Sequence, residues 1–391
     1  MKILIVSETY HPRKDGIATF IKHLAEGLAQ KGHKVYIWVP GKKITSYLES
    51  NGNLTVYREK SLELLFYPGL RVSYWPFQNA EKLIRTINPD LIHIQDPFLL
   101  GVTALFIANK YKVPVVTTSH IMPENILMNI RLPKKVSSKM EKFFWQYLIW
   151  FHNKADIVTA PTLTALSLLE DRNLKKLGSP ITNGVNTKIF NPSKKKPSIL
   201  NKFRIPKDRV KLIFIGRIDG EKRIDVIVRG FAESLRQHHN VHLIIAGTGK
   251  YLNELQALSV QLGIEDNLTF TGFVKESDKP HLLASCDIFV IASPAELQSI
   301  ATLEAMSSGL PVVAVDKIAL RELCHDGVNG YMFKENDHID LSRQLLKLIK
   351  NRPKRVKYGA KSREIVEQNH DINTSLNSYL EIYKKIQIGK E

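Results

Sequence analysis

Cysteine is scarce in this chain: 391 residues hold only Cys286 and Cys324. The two lie far apart and in no metal-ligand spacing, which argues against a disulfide scaffold or a zinc module and fits a reduced, cytoplasmic protein. Long apolar runs are missing too. The most aromatic stretch, Phe143 to Phe151, is broken by Gln146 and is too short to cross a bilayer. Met1-Lys2 runs directly into Ile3-Leu4-Ile5-Val6, which reads as a buried strand rather than a secretory leader. No Gly-x-Gly-x-x-Gly opens a helix and no Gly-Lys-Ser/Thr follows a glycine-rich loop, which counts against a dinucleotide dehydrogenase or a P-loop nucleotidase. Acidic residues are few: Asp and Glu number 38 against 56 Lys and Arg, a net charge of +18. A field of that sign suits nucleic acid, an anionic membrane face or phosphorylated small molecules.

What is present is alternation. Short β-branched runs at Ile3–Val6, Lys34–Val39, Leu91–Ile94, Val113–Thr117 and Ile157–Ala160 form one set. Leu212–Ile215, Val241–Ala246, Leu268–Phe270, Ile288–Ile291 and Val312–Ala314 form another. Helical patterns such as Thr19–Lys31 and Asp225–Gln237 fall between them. This is the signature of βαβ units, so the chain is read as α/β with two Rossmann-like domains. The seam lies between Asn183 and Val210, where the turn Asn183-Gly184 leads into Pro192, Pro197 and Pro206 among lysines. The boundary is set at 190, giving domains over 1–190 and 191–371. Ligands of such sheets bind beyond the carboxyl ends of the strands.

The strongest chemical signal follows the run Ile288–Ile291. A loop presents Glu296, and a helix beginning near Gln298 carries Glu304 in its second turn. Gln298, Ser299 and Ile300 lie at the helix start, where free N–H groups and the positive end of the dipole suit a diphosphate. A carboxylate on such a helix can hold a ribose diol bidentately, and one in the loop can accept from sugar hydroxyls. Gly216-Arg217-Ile218-Asp219-Gly220-Glu221-Lys222 follows another strand, and Arg217 and Lys222 could neutralise a leaving phosphate. Two glutamates eight apart mean little alone; the combination carries the reading.

Together these segments resemble the E-x7-E and G-R-x-x-x-E-K elements of the family 4 retaining glycosyltransferases, over nearly the whole chain. The resemblance implies the GT-B fold, with the nucleotide sugar bound by the C-terminal domain and the acceptor by the N-terminal one, the donor lying in the cleft between them. It implies that a final helix, about 372–391, returns to the N-terminal domain. It assigns the diphosphate to Arg217 and Lys222, and donor contacts to Gly216, Gly247, Gly249, Val274, Gln298, Ser299, Ile300 and Glu304. In the N-terminal half it places Gly16 beside the donor and acceptor and gives His120 a contact with the donor sugar. Retention, with the leaving phosphate helping to deprotonate the acceptor, also comes from the resemblance. No metal or other cofactor is expected. The chain departs from the family in having Asp15 for a glycine, Gln298-Ser299 for Phe-Gly, and Gln95 where a second histidine is common.

The segment Arg131–Lys154 bears on the acceptor. As a helix it puts Val136, Met140, Phe143, Phe144, Tyr147, Leu148 and Phe151 on a core stripe. Trp145 and Ile149 are then on the outer side, near Lys134, Ser138 and Lys142, as in an interfacial membrane helix. The alternative is that this second face packs on protein. His120-Ile121-Met122-Pro123-Glu124-Asn125 is similar to a stretch in family members that glycosylate diacylglycerol lipids. The favoured expectation is transfer of glucose from UDP-glucose to diacylglycerol by a peripheral enzyme on the cytoplasmic leaflet. GDP-mannose with phosphatidylinositol, or a soluble acceptor, stays open. A nucleic-acid-binding protein on a degenerate enzyme fold would need cations interleaved with aromatics along a groove, and it would not need the intact cation pair and glutamates.

Overall fold

The structure, a computed structural model, describes residues 1–13, 15–63, 71–127 and 134–388. Arg131, the expected start of the long aromatic helix, lies outside them, as do the side chains of Asn125 and Lys134. The chain forms two compact units. One comprises Met1–Pro123, Pro133–Asn183 and Asn373–Glu391; the other comprises Glu124–Leu132 and Gly184–Ile372.

The first unit is built on an eight-stranded sheet. Its strands are β1 (Lys2–Val6), β2 (Lys34–Pro40), β3 (Tyr47–Asn51) and β4 (Leu54–Glu59), then, beyond a separate antiparallel pair β5 (Ser61–Glu63) and β6 (Arg71–Ser73), β7 (Leu91–Ile94), β8 (Val115–Thr118), β9 (Ile157–Ala160) and β10 (Leu177–Pro180). The order is β10-β9-β8-β7-β1-β2-β4-β3, and every pairing but β3 with β4 is parallel. The strands β1, β7, β8 and β9 have all but one residue buried, because helices cover both faces and leave no reason for polar alternation. The sheet reverses direction of growth between β1 and β7, so the segments after those two strands flank its switch point.

The helix Ile372–Ile388, last in the chain, packs into this first unit. Tyr379 and Tyr383 are fully buried, and the Tyr383 hydroxyl sits 2.7 Å from Nδ1 of His93 on β7. Gly27 in the helix Gly16–Gln30 makes room for it: a Cβ there would lie 2.4 Å from the Leu376 side chain.

The second unit carries six parallel strands: β11 (Val210–Ile215), β12 (Val241–Ala246), β13 (Leu268–Gly272), β14 (Ile288–Ile291), β15 (Val312–Val315) and β16 (Gly330–Phe333). Their order, β13-β12-β11-β14-β15-β16, is the doubly wound arrangement with its switch point between β11 and β14. The unit's continuous part begins at Gly184, seven residues before the expected 191. Val185 already donates to His370 O at 2.8 Å, and Phe190 is part of the unit's core. Apolar anchoring therefore starts before the proline-rich stretch that marks the seam in the sequence.

Candidate active site

In the second unit two loops meet at the switch point. After β11 the chain runs through Gly216 and Arg217 into a short turn at Gly220–Lys222. After β14 it runs through Ser293 and Glu296 to the helix Ile300–Ser307. Ser293 Oγ donates to the carbonyl of Glu221 at 3.3 Å, tying the loops. Lys222 Nζ reaches Glu296 Oε1 at 2.6 Å, and both side chains are largely shielded from water. Arg217 bonds Glu221 at 2.7 Å and also meets Asp219. Expected cations and carboxylates therefore stand together, each already engaged with a partner of opposite sign.

Ser299 is the N-cap of the helix Ile300–Ser307, its hydroxyl accepting from Thr302 N at 3.2 Å. That leaves the first N–H groups, of Ile300 and Ala301, outside the intrahelical pattern and able to meet an anion. Gln298, just before this cap, and Val274, after β13, are buried, whereas Phe273 is exposed. Glu304 is buried and accepts from Lys279 Nζ at 3.0 Å. Burial pushes the Glu304 carboxyl up, and the Lys279 ammonium pulls it back. Burial alone would lower Lys279, but Glu304 and Glu276 beside it raise it overall. Lys279 was not singled out in the sequence; it starts a six-residue helix five residues after Val274, and only the fold brings it to Glu304.

Gly247 has a structural duty. Its φ is +147°, and a Cβ there would stand 1.8 Å from the Gly216 carbonyl oxygen, so the ends of β11 and β12 can approach only with glycine at that point. A Cβ on Gly249 would lie 2.2 Å from the carbonyl oxygen of Ile218, again in the loop after β11.

The first unit has its own cluster, at the ends of β1, β7 and β8. Asp96, buried after β7, accepts from Ser7 Oγ at 2.6 Å and from Glu8 N at 2.7 Å. Glu8 Oε1 accepts from Leu100 N at 2.8 Å. Burial pushes both carboxyls up, and the Asp96 charge raises Glu8 further. His120, after β8, bonds Gln95 at 2.9 Å and packs against the Phe20 ring at 5.0 Å. Burial, with His152 nearby, pushes His120 down to about 3, so its imidazole is neutral at physiological pH. Glu8 and Asp96 were missed. The available signal was two acids directly after buried parallel strands, a position where burial is unusual for such groups. Gly16 opens the helix Gly16–Gln30, whose N-cap Asp15 accepts from Ala18 N at 2.8 Å. Asp15 thus does the work of a cap where the family carries a glycine.

The long aromatic helix, Lys134–His152, corrects the expected membrane face. Trp145 and Ile149 are buried, in a cluster with Leu148, Val158 and Leu169. The Arg172 guanidinium lies 4.1 Å over the Trp145 ring. Of the supposed core stripe, Val136 and Phe143 are exposed. The helix is apolar on more than one side, so periodicity alone does not say which side meets β9 and the helix Leu163–Glu170. Lys142 is exposed.

With this geometry in hand, two family models match. Glycosyltransferase Family 4 matches residues 14–189, and Glycosyl transferases group 1 matches residues 195–365. Alpha-monoglucosyldiacylglycerol synthase of Streptococcus pneumoniae is 29% identical over 337 residues, covering 85% of this chain and 75% of that protein. The GDP-mannose-dependent alpha-mannosyltransferase of Corynebacterium glutamicum is 24% identical, over 85% of this chain and 76% of its own. Among solved structures, sucrose-phosphate synthase of Thermosynechococcus elongatus superposes with a TM-score of 0.81 at 16% identity, covering 99% of both chains. Anabaena HepE in complex with UDP-glucose gives 0.76 at 20% identity, over 98% of this chain and 100% of that one. At such identities these structures speak for the fold alone, which is GT-B.

Proposed function

We infer that this chain, which belongs to the family 4 and group 1 glycosyltransferases, transfers a hexose with retention from a nucleotide sugar to a membrane lipid, with UDP-glucose as donor and diacylglycerol or a related lipid as acceptor. The observation that carries the chemistry is the Lys222–Glu296 pair, with Arg217 beside it, at the switch point of β11 and β14. On this reading the donor diphosphate displaces part of that ion-pair network. Lys222 and Arg217 turn from their carboxylates to the phosphate oxygens, and the amides of Ile300 and Ala301 add their dipoles. No metal is required to carry that charge. Glu296, released from Lys222, accepts hydrogen bonds from the sugar hydroxyls. Glu304 accepts from the ribose diol, and the Lys279 ammonium opposes the burial that raises its carboxyl.

In the transfer step the bond between the anomeric carbon and the phosphate oxygen breaks, its electron pair staying on that oxygen. The acceptor hydroxyl bonds to the same face of the carbon, and its proton passes to the leaving phosphate. Cations fixed beforehand around the phosphate stabilise the charge that grows there without reorganising. His120, half-buried and neutral because desolvation lowers it, serves this reading as a hydrogen-bonding partner for the sugar.

The names of the relatives support a lipid acceptor, since the pneumococcal protein and an Acholeplasma laidlawii protein 26% identical to this chain are both alpha-monoglucosyldiacylglycerol synthases. The mannosyltransferase relative keeps GDP-mannose as the second donor to test. Purified protein is offered UDP-glucose, UDP-galactose, UDP-N-acetylglucosamine and GDP-mannose, each with and without diacylglycerol in vesicles. The expected result is vesicle-dependent turnover of UDP-glucose with an α-linked product. A β-linked product overturns retention, GDP-mannose turnover overturns the donor, and turnover indifferent to lipid overturns the acceptor.

A further inference from the structure

The helix Lys134–His152 leaves one side uncovered within its unit. Val136, Phe143 and Trp150 are 43%, 65% and 39% exposed. Their seven-residue spacing lines them along a single stripe of a helix about 28 Å long. The stripe widens sideways. Tyr147 stacks on Trp150 at 5.7 Å, and Phe106, 55% exposed on the neighbouring helix Leu99–Lys110, lies 6.2 Å from the Trp150 ring. A contiguous exposed patch of large aromatics is uncommon on a soluble surface and marks a docking site.

Charge identifies the occupant. Lys135, Lys139 and Lys142 are exposed; Lys139 lies beside the aromatic stripe, and Lys135 and Lys142, in the seven-residue register of Ile149, border it on one flank. The helix's one acidic residue, Glu141, is half-buried and points the other way around, toward the side that holds Leu148 and His152. Aromatic side chains flanked by lysine ammonium groups, with no carboxylate among them on this helix, match the boundary between headgroups and acyl chains of an anionic bilayer. The same array is unfavourable for a second copy of the chain, because a twofold contact would set lysines against lysines. None of the described helices is long and apolar enough to cross a membrane, so the patch would rest in the interface rather than anchor a spanning segment.

We propose that the Val136–Phe143–Trp150 stripe, with Phe106 and the lysines Lys135, Lys139 and Lys142, seats the protein on an anionic lipid surface. The proposal rests on the lipid-acceptor reading for its purpose and assigns the contact to the exposed aromatic stripe and the lysines bordering it, not to the buried Trp145 and Ile149. Phe143 and Trp150 insert beside the headgroups while the lysines meet lipid phosphates, so binding needs both parts.

The test uses the full chain and vesicles of phosphatidylcholine with or without phosphatidylglycerol. Sedimentation is measured for the wild type, for Phe143→Ser with Trp150→Ser, and for Lys135→Gln, Lys139→Gln and Lys142→Gln together. Trp145→Phe serves as a buried control, and UDP affinity reports that each variant is folded. The wild type is expected to bind anionic vesicles far better than neutral ones. The aromatic pair should lower binding about tenfold or more, and the lysine triple should remove most of the preference for anionic lipid. Transfer to diacylglycerol in vesicles should fall in parallel, while transfer to a dispersed short-chain diacylglycerol stays at the wild-type rate. Unchanged sedimentation of both variants overturns the docking face, as does a wild-type dimer in solution that the aromatic pair splits. Transfer to the short-chain lipid without any vesicle binding removes the docking face and leaves the acceptor. Vesicle binding lost in the variants, with no transfer to either lipid, removes the acceptor and leaves the docking face.

Discussion

The two strand-end clusters handle buried polar groups in different ways. At the switch point of the second unit, each acid has a cation against it, Lys222 with Glu296 and Lys279 with Glu304, at 2.6 and 3.0 Å, so the burial that raises Glu304 is opposed by an ammonium. At the corresponding point of the first unit, burial raises the carboxyls of Glu8 and Asp96 and lowers His120, so groups there are driven toward their neutral forms. Charges desolvated in pairs can be exchanged for the charges of a ligand at little net cost, whereas neutral groups offer hydrogen bonds without a field. The difference points to electrostatic work in the second unit and to orientation in the first.

The sharpest way to break that division is to remove one member from each side. Lys222→Ala should lower kcat by about 10²–10³-fold, the loss typical of a preorganised group facing transition-state charge. His120→Ala should lower it less, by about tenfold, because a neutral hydrogen bond contributes less than a charged one. Steady-state kinetics on the favoured donor decides: a His120 loss equal to that of Lys222 would show that both units carry the electrostatic burden.

A second effect concerns binding. Glu304→Ala removes a buried acceptor and strands the Lys279 ammonium, so nucleotide affinity should weaken by about 10- to 100-fold. Titration calorimetry with UDP reads it directly. Lys279→Met together with Glu304→Gln should fold better than Glu304→Ala, since a lone buried charge is worse than none. Unchanged UDP affinity in a folded Glu304→Ala protein would take the ribose role away.

The comparison also explains what could be read in advance. In the second unit the five expected strands were found at their places, with Val241–Ala246 and Ile288–Ile291 matching residue for residue, because buried parallel strands are written as unbroken β-branched runs. In the first unit the edge strands β3 and β10 went unseen, with β4 beside β3, as did the edge strand β16 of the second unit. β3 reads Tyr-Leu-Glu-Ser-Asn and is mostly exposed, so no apolar run announces it. Motif residues such as Lys222 and Glu296 were legible from their spacing along the chain. Lys279, Glu8 and Asp96 depend on distant neighbours and were not. The orientation of the Lys134–His152 helix failed for a related reason: with apolar residues on several sides, only the neighbours select the inner one, and Trp145 was taken for an outer residue.

Acid sharpens the contrast by an effect smaller than that on binding. Burial lowers His93 to about 3, where it lies between Tyr383 and Thr118. Its folded value is below the ordinary 6.5, so between those values the unfolded chain holds a proton that the folded one does not. Stability from His93 is then complete above about pH 6.5 and falls as pH drops, by about 1.4 kcal/mol per pH unit. The raised Glu8 and Asp96 act in the opposite direction, so the test is a difference. Urea unfolding of the wild type and His93→Gln at pH 7, 6 and 5 should show a steeper acid loss in the wild type. Parallel slopes would mean that His93 takes up its proton in the folded chain.

The smallest effect separates capping from chemistry at Asp15, one of the two places where the first unit departs from its family's pattern. Asp15 accepts from Ala18 N at 2.8 Å, pairs with Arg13 Nε at 2.6 Å and accepts from Thr9 Oγ1 at 3.1 Å. Asp15→Ala loses the cap and should cost about 1 kcal/mol. Asp15→Gly should cost less, since glycine is itself an acceptable cap and the backbone at this position, φ −122° and ψ 173°, is extended and open to any residue. Thermal melts should rank wild type above Asp15→Gly above Asp15→Ala, within a few degrees. If Asp15 only starts the helix, the KM for the nucleotide sugar will be the same in all three proteins. A lower KM in both variants would mean that its carboxylate also repels the donor, and the first unit would then carry an electrostatic term of its own.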